Sequence, residues 1–287
     1  MMNASSKHLN DPIAEKKTYT GPSPPYNVVV TGASKGIGRA LAEEFLRLGD
    51  NVVICSRTGE QISKTVEELG AKFGKGRVKG KTCNVAKPAE MRTLADFAKK
   101  ELGRVDIWVN NAGTNAYKYG PLSEAKDDEL IQIVETNVLG VMLGCREAIR
   151  VMKDQPTTGH VFAAYGASKR GLAQLGGSIS AELKMLGIRN VALHNLSPGM
   201  VTTELLMSGA DTSASKFFIN CLAEPPEKVA QYLVPRVRQV PSEAMFNPFT
   251  GAMASVYIKF LTKPKAYSQI LSRLLTGARK DLYVIED

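Results

Sequence analysis

Val28-Val29-Val30-Thr31-Gly32-Ala33-Ser34-Lys35-Gly36-Ile37-Gly38-Arg39-Ala40-Leu41-Ala42-Glu43-Glu44-Phe45-Leu46 sets an apolar run, a glycine-spaced turn and a helix-like stretch end to end. The run stops at Thr31 and Gly32, as a buried strand would, and Leu41, Phe45 and Leu48 recur afterwards at helical spacing. Glycines at 32, 36 and 38 allow a tight turn and a close approach of backbone to a ligand. The helix N-terminus that follows favours negative charge. The stretch therefore reads as a dinucleotide pocket, with Gly32, Ser34, Lys35, Gly36, Ile37 and Gly38 as the expected cofactor contacts.

Working outward, short β-branched runs alternate with longer helical patterns. Strands are expected at 27–31, 51–55, 78–83, 105–110, 160–163 and 190–196, with a seventh at 255–261. Between them lie helical series such as Ile131, Val134, Val138 and Met142. This alternation predicts an α/β fold of Rossmann type: a doubly wound parallel sheet in a three-layer α/β/α arrangement, binding ligands beyond the carboxyl ends of its strands. Residues 1–25 mix polar residues and prolines without apolar periodicity and read as a mobile extension. Residues 26–262 form the expected single domain. Pro264 opens a final helix with an apolar stripe of Tyr267, Ile270, Leu271 and Leu274, so 263–287 reads as a basic C-terminal helix and tail.

With 287 residues, 44% of them hydrophobic and 23% charged, the composition suits one large globular domain. No apolar run approaches the ~18 residues of a membrane span, and the start of the chain lacks the apolar core of a secretory signal. A transit peptide is weakly supported, because the first 25 residues contain Asp11 and Glu15 and no Arg. Cys55, Cys83, Cys145 and Cys221 are scattered and His8, His160 and His194 are the only histidines, so the cysteines read as small core residues in a reducing compartment and no metal site is expected. The formal net charge is +9, and residues 251–280 hold six cations and no acid: Lys259, Lys263, Lys265, Arg273, Arg279 and Lys280. No nucleic-acid motif accompanies them. A membrane or protein partner is the functional reading, beside the plain one of a solvated helix face.

Four further motifs fall where such a sheet places a site. They are Asn110-Asn111-Ala112-Gly113 at the end of the fourth strand, Asn137 in the following helix, Tyr165-Gly166-Ala167-Ser168-Lys169 opening the next helix, and Ser197-Pro198-Gly199 after the sixth strand. With the glycine turn, they make residues 27–203 resemble the short-chain dehydrogenase/reductase family. Tyr165 and Lys169 at i and i+4 share a helix face, so the ammonium favours the phenolate and lowers a pKa normally near ~10. Such a Tyr protonates a carbonyl oxygen as a nicotinamide delivers hydride. The resemblance implies that Lys169 also holds the nicotinamide ribose and that Asn137 supports a relay water. It further implies cofactor contacts at Asn84, Val85, Asn111, Ala112, Gly113, Pro198, Gly199, Val201 and Thr203. The second strand ends in Cys55-Ser56-Arg57-Thr58 instead of an acid, so Arg57 with Lys35 predicts NADPH rather than NADH. Asn84 stands where the family usually has Asp, a mild departure, since an amide both donates and accepts.

Less generic runs narrow the resemblance. Gly49-Asp50-Asn51-Val52-Val53-Ile54-Cys55-Ser56-Arg57, the stretch 106–117, His194-Asn195-Leu196-Ser197-Pro198-Gly199-Met200-Val201-Thr202-Thr203 and Lys216-Phe217-Phe218-Ile219-Asn220 are similar to the plant and algal chlorophyll b reductases of the non-yellow-coloring-like type. That likeness implies NADPH-dependent reduction of the C7 formyl group of chlorophyll b to hydroxymethyl during chlorophyll breakdown, in the chloroplast at the stromal face of the thylakoid. Implied partners are the pigment, a membrane-bound sister reductase or the thylakoid surface, and other subunits of a homo- or hetero-oligomer. The apolar stretch 200–222 suits a lid over a flat tetrapyrrole.

One departure is serious. The family carries a Ser about a dozen residues before the Tyr, yet 150–164 contains none, and Gly159-His160-Val161-Phe162-Ala163-Ala164 runs directly into Tyr165. Strand-to-helix loops need about 2–6 residues, so either the strand shortens or the first helical turn unwinds. Loss of a hydroxyl that polarises the carbonyl costs ~100–1,000-fold in rate by analogy with an oxyanion-hole donor. Two alternatives therefore stand beside the chlorophyll b reductase reading: a non-catalytic cofactor-binding or scaffolding protein, and a general aldehyde or ketone reductase.

Overall fold

The computed structural model describes residues 19–115, 124–164, 170–208, 210–243 and 253–286. Its seven strands are β1 (Asn27–Thr31), β2 (Asn51–Ser56), β3 (Val78–Thr82), β4 (Ile107–Asn110), β5 (Gly159–Ala164), β6 (Val191–Ser197) and β7 (Tyr257–Lys259). They form one sheet in the order β3-β2-β1-β4-β5-β6-β7, every neighbouring pair parallel. The chain winds outward from β1 to β3, returns beside β1 as β4, and winds outward again. The reversal between β1 and β4 opens a crevice at the carboxyl ends of the strands.

Helices cover both faces, which is why β1 and β2 read as continuous apolar runs and not as an alternation. Successive side chains point to opposite faces. Val28 and Val30 pack with Leu41 and Phe45 of α1 (Gly36–Arg47) and with Leu233 and Val237 of α9 (Pro226–Gln239). Val29, Val53 and Trp108 pack with Met91 and Leu94 of α3 (Pro88–Leu102) and with Val141 and Ala148 of α5 (Gly140–Met152). The helix α2 (Gly59–Phe73) adds Ile62 and Leu69 to the first cluster. All four cysteines are buried.

Several boundaries differ from the sequence expectation. β4 begins at Ile107, because the Val105 N–H is taken by Gln155 Oε1 at 2.8 Å and the Asp106 carboxylate accepts from Asn27 N–H at 2.9 Å. The seventh strand keeps three of seven expected residues, since β6 offers partners only from Asn195 to Ser197. Residues 19–25 of the expected extension lie against the body, where Thr158 N–H donates to Thr20 O at 3.2 Å. Three of the four residues in the series that marked the helix before β5 face outward: Ile131 and Val134 of α4 (Asp127–Val134) are 56% and 57% exposed and Met142 is 45% exposed, while Val138 packs against the second cluster. Between α4 and α5 the helix widens into a π-helical turn, Glu135–Leu139.

Two tethers hold the far side of the sheet. On β5 and β6, His160 Nδ1 lies 3.0 Å from His194 Nε2, and His160 Nε2 lies 3.0 Å from Thr158 Oγ1. Val256 N–H donates to His194 Nδ1 at 3.2 Å, so His194 carries its proton on Nε2 and His160 carries its own on Nε2. Farther along, α8 (Ser213–Leu222) meets α10 (Lys263–Thr276) and the tail. The fully buried Asn220 side chain donates to Val284 O (2.7 Å) and Glu286 Oε1 (2.8 Å) and accepts from Tyr283 and Val284 N–H (2.7 and 3.1 Å). Ala210, Ile219 and Ala223 close a third small apolar cluster with Tyr283 and Val284.

Candidate active site

The turn between β1 and α1 is built by its glycines. Gly32 has φ +65°, and a Cβ there would stand 2.7 Å from Ala112 Cα; Gly36 has φ +58°, and a Cβ there would stand 3.2 Å from Thr203 Cγ2. Left-handed backbone and close neighbours together exclude a side chain at Gly32. Gly38 follows within α1 beside the Asn111 amide, and Ile37 is half-buried against the core. Lys35 is the N-cap of α1 and supplies no side-chain capping hydrogen bond, and the first turn holds no acid of its own. The positive end of the helix is thus aimed at the crevice with its first-turn N–H groups uncapped by the N-cap side chain.

Across the crevice, the end of β4 is locked to the end of β1. Thr31 Oγ1 accepts from the N–H groups of Asn111 and Ala112, both at 3.0 Å. Asn111 Nδ2 donates to Thr31 O (2.9 Å) and Gly32 O (3.2 Å). The loop then runs through the exposed Gly113 to Thr114, which Asn137 grips from the π-helical turn: Thr114 N–H donates to Asn137 Oδ1 at 2.9 Å and Asn137 Nδ2 donates to Thr114 O at 2.8 Å. Such single π turns favour functional positions because they re-aim one side chain. Thr31 was not among the expected site residues; its place at the strand end, before the first glycine, is the signal that could have found it.

Arg57 ends β2 exposed, and it has no ion-pair partner among the described residues. Beside it, Asn84 Oδ1 accepts from Ala86 N–H at 3.1 Å, which commits the acceptor to the turn and leaves the amide N–H groups as donors. Val85 is buried against Gly140 at the start of α5. Beneath them the Cys83 thiol, hydrogen-bonded to Cys55 and buried, is pushed well above the usual thiol range.

Beyond β6, Pro198 and Gly199 turn the chain past Leu261, Val201 bridges Glu224, and Thr203 caps the short helix α7 (Glu204–Met207) against Gly36. This brings Glu204 into an ion pair with Lys35, both side chains largely exposed. Lys35 was expected, with Arg57, to put positive charge beside a phosphate; the structure also gives it a carboxylate partner 169 residues away. Ser34 lies in the same turn, its carbonyl accepting from Thr65 Oγ1 at 3.4 Å.

Tyr165 and Lys169 lie outside the described residues, as does the opening of their helix. Their flanks are described. β5 keeps all six residues, with Ala163 paired to Asn110 and Asn195 and Ala164 paired to Leu196. The strand therefore does not shorten, and α6 is described from Arg170 to Met185. The backbone groups of β4 and β6 need partners at this level, and Ala163 and Ala164 supply them.

The cradle fits a dinucleotide: a glycine turn too tight for side chains, a helix whose first turn holds no acid, and an exposed Arg just past the end of the neighbouring strand. The comparisons agree. The short chain dehydrogenase family model matches residues 26–214. The chain is 50% identical over 279 residues to chlorophyll(ide) b reductase NOL, chloroplastic, of Oryza sativa subsp. japonica, covering 92% of this chain and 79% of that protein. Among solved structures, a short-chain type dehydrogenase/reductase from Mycobacterium marinum matches with a TM-score of 0.65 at 25% identity, over 82% of this chain and 94% of that one. A metagenomic short-chain oxidoreductase solved in complex with NADP matches with a TM-score of 0.61 at 23% identity, over 84% of this chain and all of the other. A doubly wound sheet, a glycine cradle at its switch point and this sequence likeness have one source: the chain belongs to the short-chain dehydrogenase/reductase family.

Proposed function

We propose that the chain is an NADPH-dependent reductase of the C7 formyl group of chlorophyll b, giving the hydroxymethyl pigment, at the stromal face of the chloroplast thylakoid. The observation that carries this reading is half-identity over nine-tenths of the chain to a reductase named for that pigment. Gly32, Ser34, Gly36, Ile37 and Gly38 would cradle the pyrophosphate. Arg57 and Lys35 would meet the adenosine 2′-phosphate, and Asn84 and Val85 the adenine. Asn111, Ala112, Gly113, Pro198, Gly199, Val201 and Thr203 would line the ribose and nicotinamide. When bound, the reduced nicotinamide supplies hydride to the formyl carbon.

The protein's part is the proton and the geometry. Tyr165 gives its phenolic proton to the formyl oxygen, and the Lys169 ammonium stabilises the phenolate left behind. Asn137 fixes the loop after β4 through both polar atoms of Thr114, which keeps the floor of the site rigid. A second reading, cofactor binding without rapid turnover, is supported by β5 running through Ala164 directly to Tyr165 with no Ser in that segment.

Two titrations test the reading. NADPH should bind more tightly than NADH by fluorescence, and Arg57→Ala should erase most of the preference; equal affinities would sink the cofactor assignment. Chlorophyll b reduction should be slow, and should rise ~100–1,000-fold when a Ser-bearing loop of about fourteen residues is placed between Phe162 and Ala163, its first two residues taking over the strand pairing of Ala163 and Ala164. Loss of the gain in the same chain carrying Tyr165→Phe is the expected control. Full activity of that control would overturn the proton donor.

A further inference from the structure

The C-terminal helix wears its apolar stripe on the outside. Ala266, Gln269, Ile270 and Arg273 form the inward face of α10, while Tyr267, Leu271, Leu274 and Leu275 stand 68%, 56%, 68% and 74% exposed. At 100° per residue those four fall within one sector of about a quarter-turn. The helix is held in this orientation. Arg273 lies under it, paired to Glu286 and set over the Phe217 ring of α8, and Arg279 just beyond binds Glu224, Asn220 O and Ala223 O. An amphipathic helix free to choose would bury this stripe; the inward ion pairs fix it toward the surroundings.

Cations flank α10 in the sequence. Lys263 begins α10, Lys280 follows it, and Lys259 stands on the edge strand β7. All three are exposed, and none has a carboxylate within ion-pair distance among the described residues. No acid occurs from Gly251 to Lys280. A second copy of the chain would set these like charges against each other across a two-fold axis. An exposed apolar stripe on a helix flanked in sequence by exposed lysines matches an interfacial helix, whose aliphatic side chains enter the acyl boundary while ammonium groups stay among headgroups.

We propose that α10 is a docking helix for an anionic lipid bilayer, inserting Tyr267, Leu271, Leu274 and Leu275 and laying Lys259, Lys263 and Lys280 on the headgroups. The inference rests on the thylakoid placement proposed above, to which it gives a named surface, and it does not need the reductase activity, because lipid binding involves neither cofactor nor pigment. Through Arg273, Arg279 and Asn220, the docked helix is continuous with α8.

The test is co-sedimentation of the full chain with phosphatidylcholine vesicles, with and without phosphatidylglycerol, at low and raised salt. The chain should pellet with the anionic vesicles and release as salt rises. Leu271→Ser with Leu274→Ser should weaken binding roughly tenfold or more, and Lys263→Glu with Lys280→Glu should weaken it roughly fivefold per lysine. Both pairs are exposed, so an unchanged thermal midpoint is the check on folding. A wild-type chain that stays in the supernatant, or either double variant binding like wild type, overturns the proposal. So does a wild-type oligomer that the Ser variant disperses, or capture of an acidic protein partner by this face without vesicle binding. A chain that pellets as expected yet reduces no pigment would leave the docking helix standing and remove only the reductase reading.

Discussion

Taking the chain from about pH 8 to about pH 5 should cost it about 4 kcal/mol of folding stability through His160 and His194 alone. Burial holds His160 down to about 4; burial and then the neighbouring His160 hold His194 down to about 3. In the unfolded chain both rings titrate near ~6.5. Above that value neither state carries the protons, and the pair contributes no pH dependence. Below it the unfolded chain binds two protons that the folded one refuses, so stability falls as pH falls, until the folded values are passed. At about pH 5 each ring is ~1.5 units below its unfolded value, or ~2 kcal/mol. Against a total of ~5–15 kcal/mol this is a large fraction. Asp50 and Asp106 act in the opposite sense, because burial raises both carboxyls and protonation relieves them. Urea midpoints at several pH values should slope down toward acid in the wild type. His194→Gln should remove about half the slope and His160→Gln with His194→Gln nearly all of it. Equal wild-type stability at both ends, or an unchanged slope in the double variant, would refute the reasoning.

Gly32→Ala should cost about 1–3 kcal/mol for its left-handed backbone, and the added Cβ would press on Ala112 Cα. NADPH affinity should drop at least tenfold with the denaturation midpoint, and an unaltered dissociation constant would count against the cradle. Asn220→Ala leaves the Tyr283 and Val284 N–H groups and Val284 O without their partner, at about 2–4 kcal/mol in all. Trypsin should then cut the tail near Lys280 well before the body, and wild-type protection there would refute the tether.

The sheet was legible because its central strands are buried on both faces and its helices carry period-3.6 stripes between glycine and proline punctuation. The glycine turn was legible for the same reason: Gly32 and Gly36 sit where only a residue without a side chain fits. Periodicity says that a face is apolar and not what it meets. Ile131 and Val134 therefore marked a helix from sequence without showing that they are exposed, and Tyr267 and Leu271 marked a stripe whose direction only the inward Arg273–Glu286 pair decides. The Lys35–Glu204 pair and the His160–His194 contact join residues far apart in the chain, and no local pattern announces either. The end of β5 was half legible: the missing Ser and the strand as far as Ala163 were plain, but drawing Ala164 into the strand depends on the partner that β6 offers at Leu196.

The Asn220 tether also orders events during synthesis. Thr31 meets its partner Ala112 across 81 residues early in the chain, whereas Asn220 must wait 63 further residues for Tyr283. At ~5–20 residues per second, a ribosome needs about 3–13 s to supply them. For that interval the amide of a side chain destined for full burial is served by water or by chaperones. A nascent molecule thus builds its nucleotide cradle first and seats α8 last, so any lesion that stalls translation between the two leaves a chain with the cradle formed and the roof unfastened.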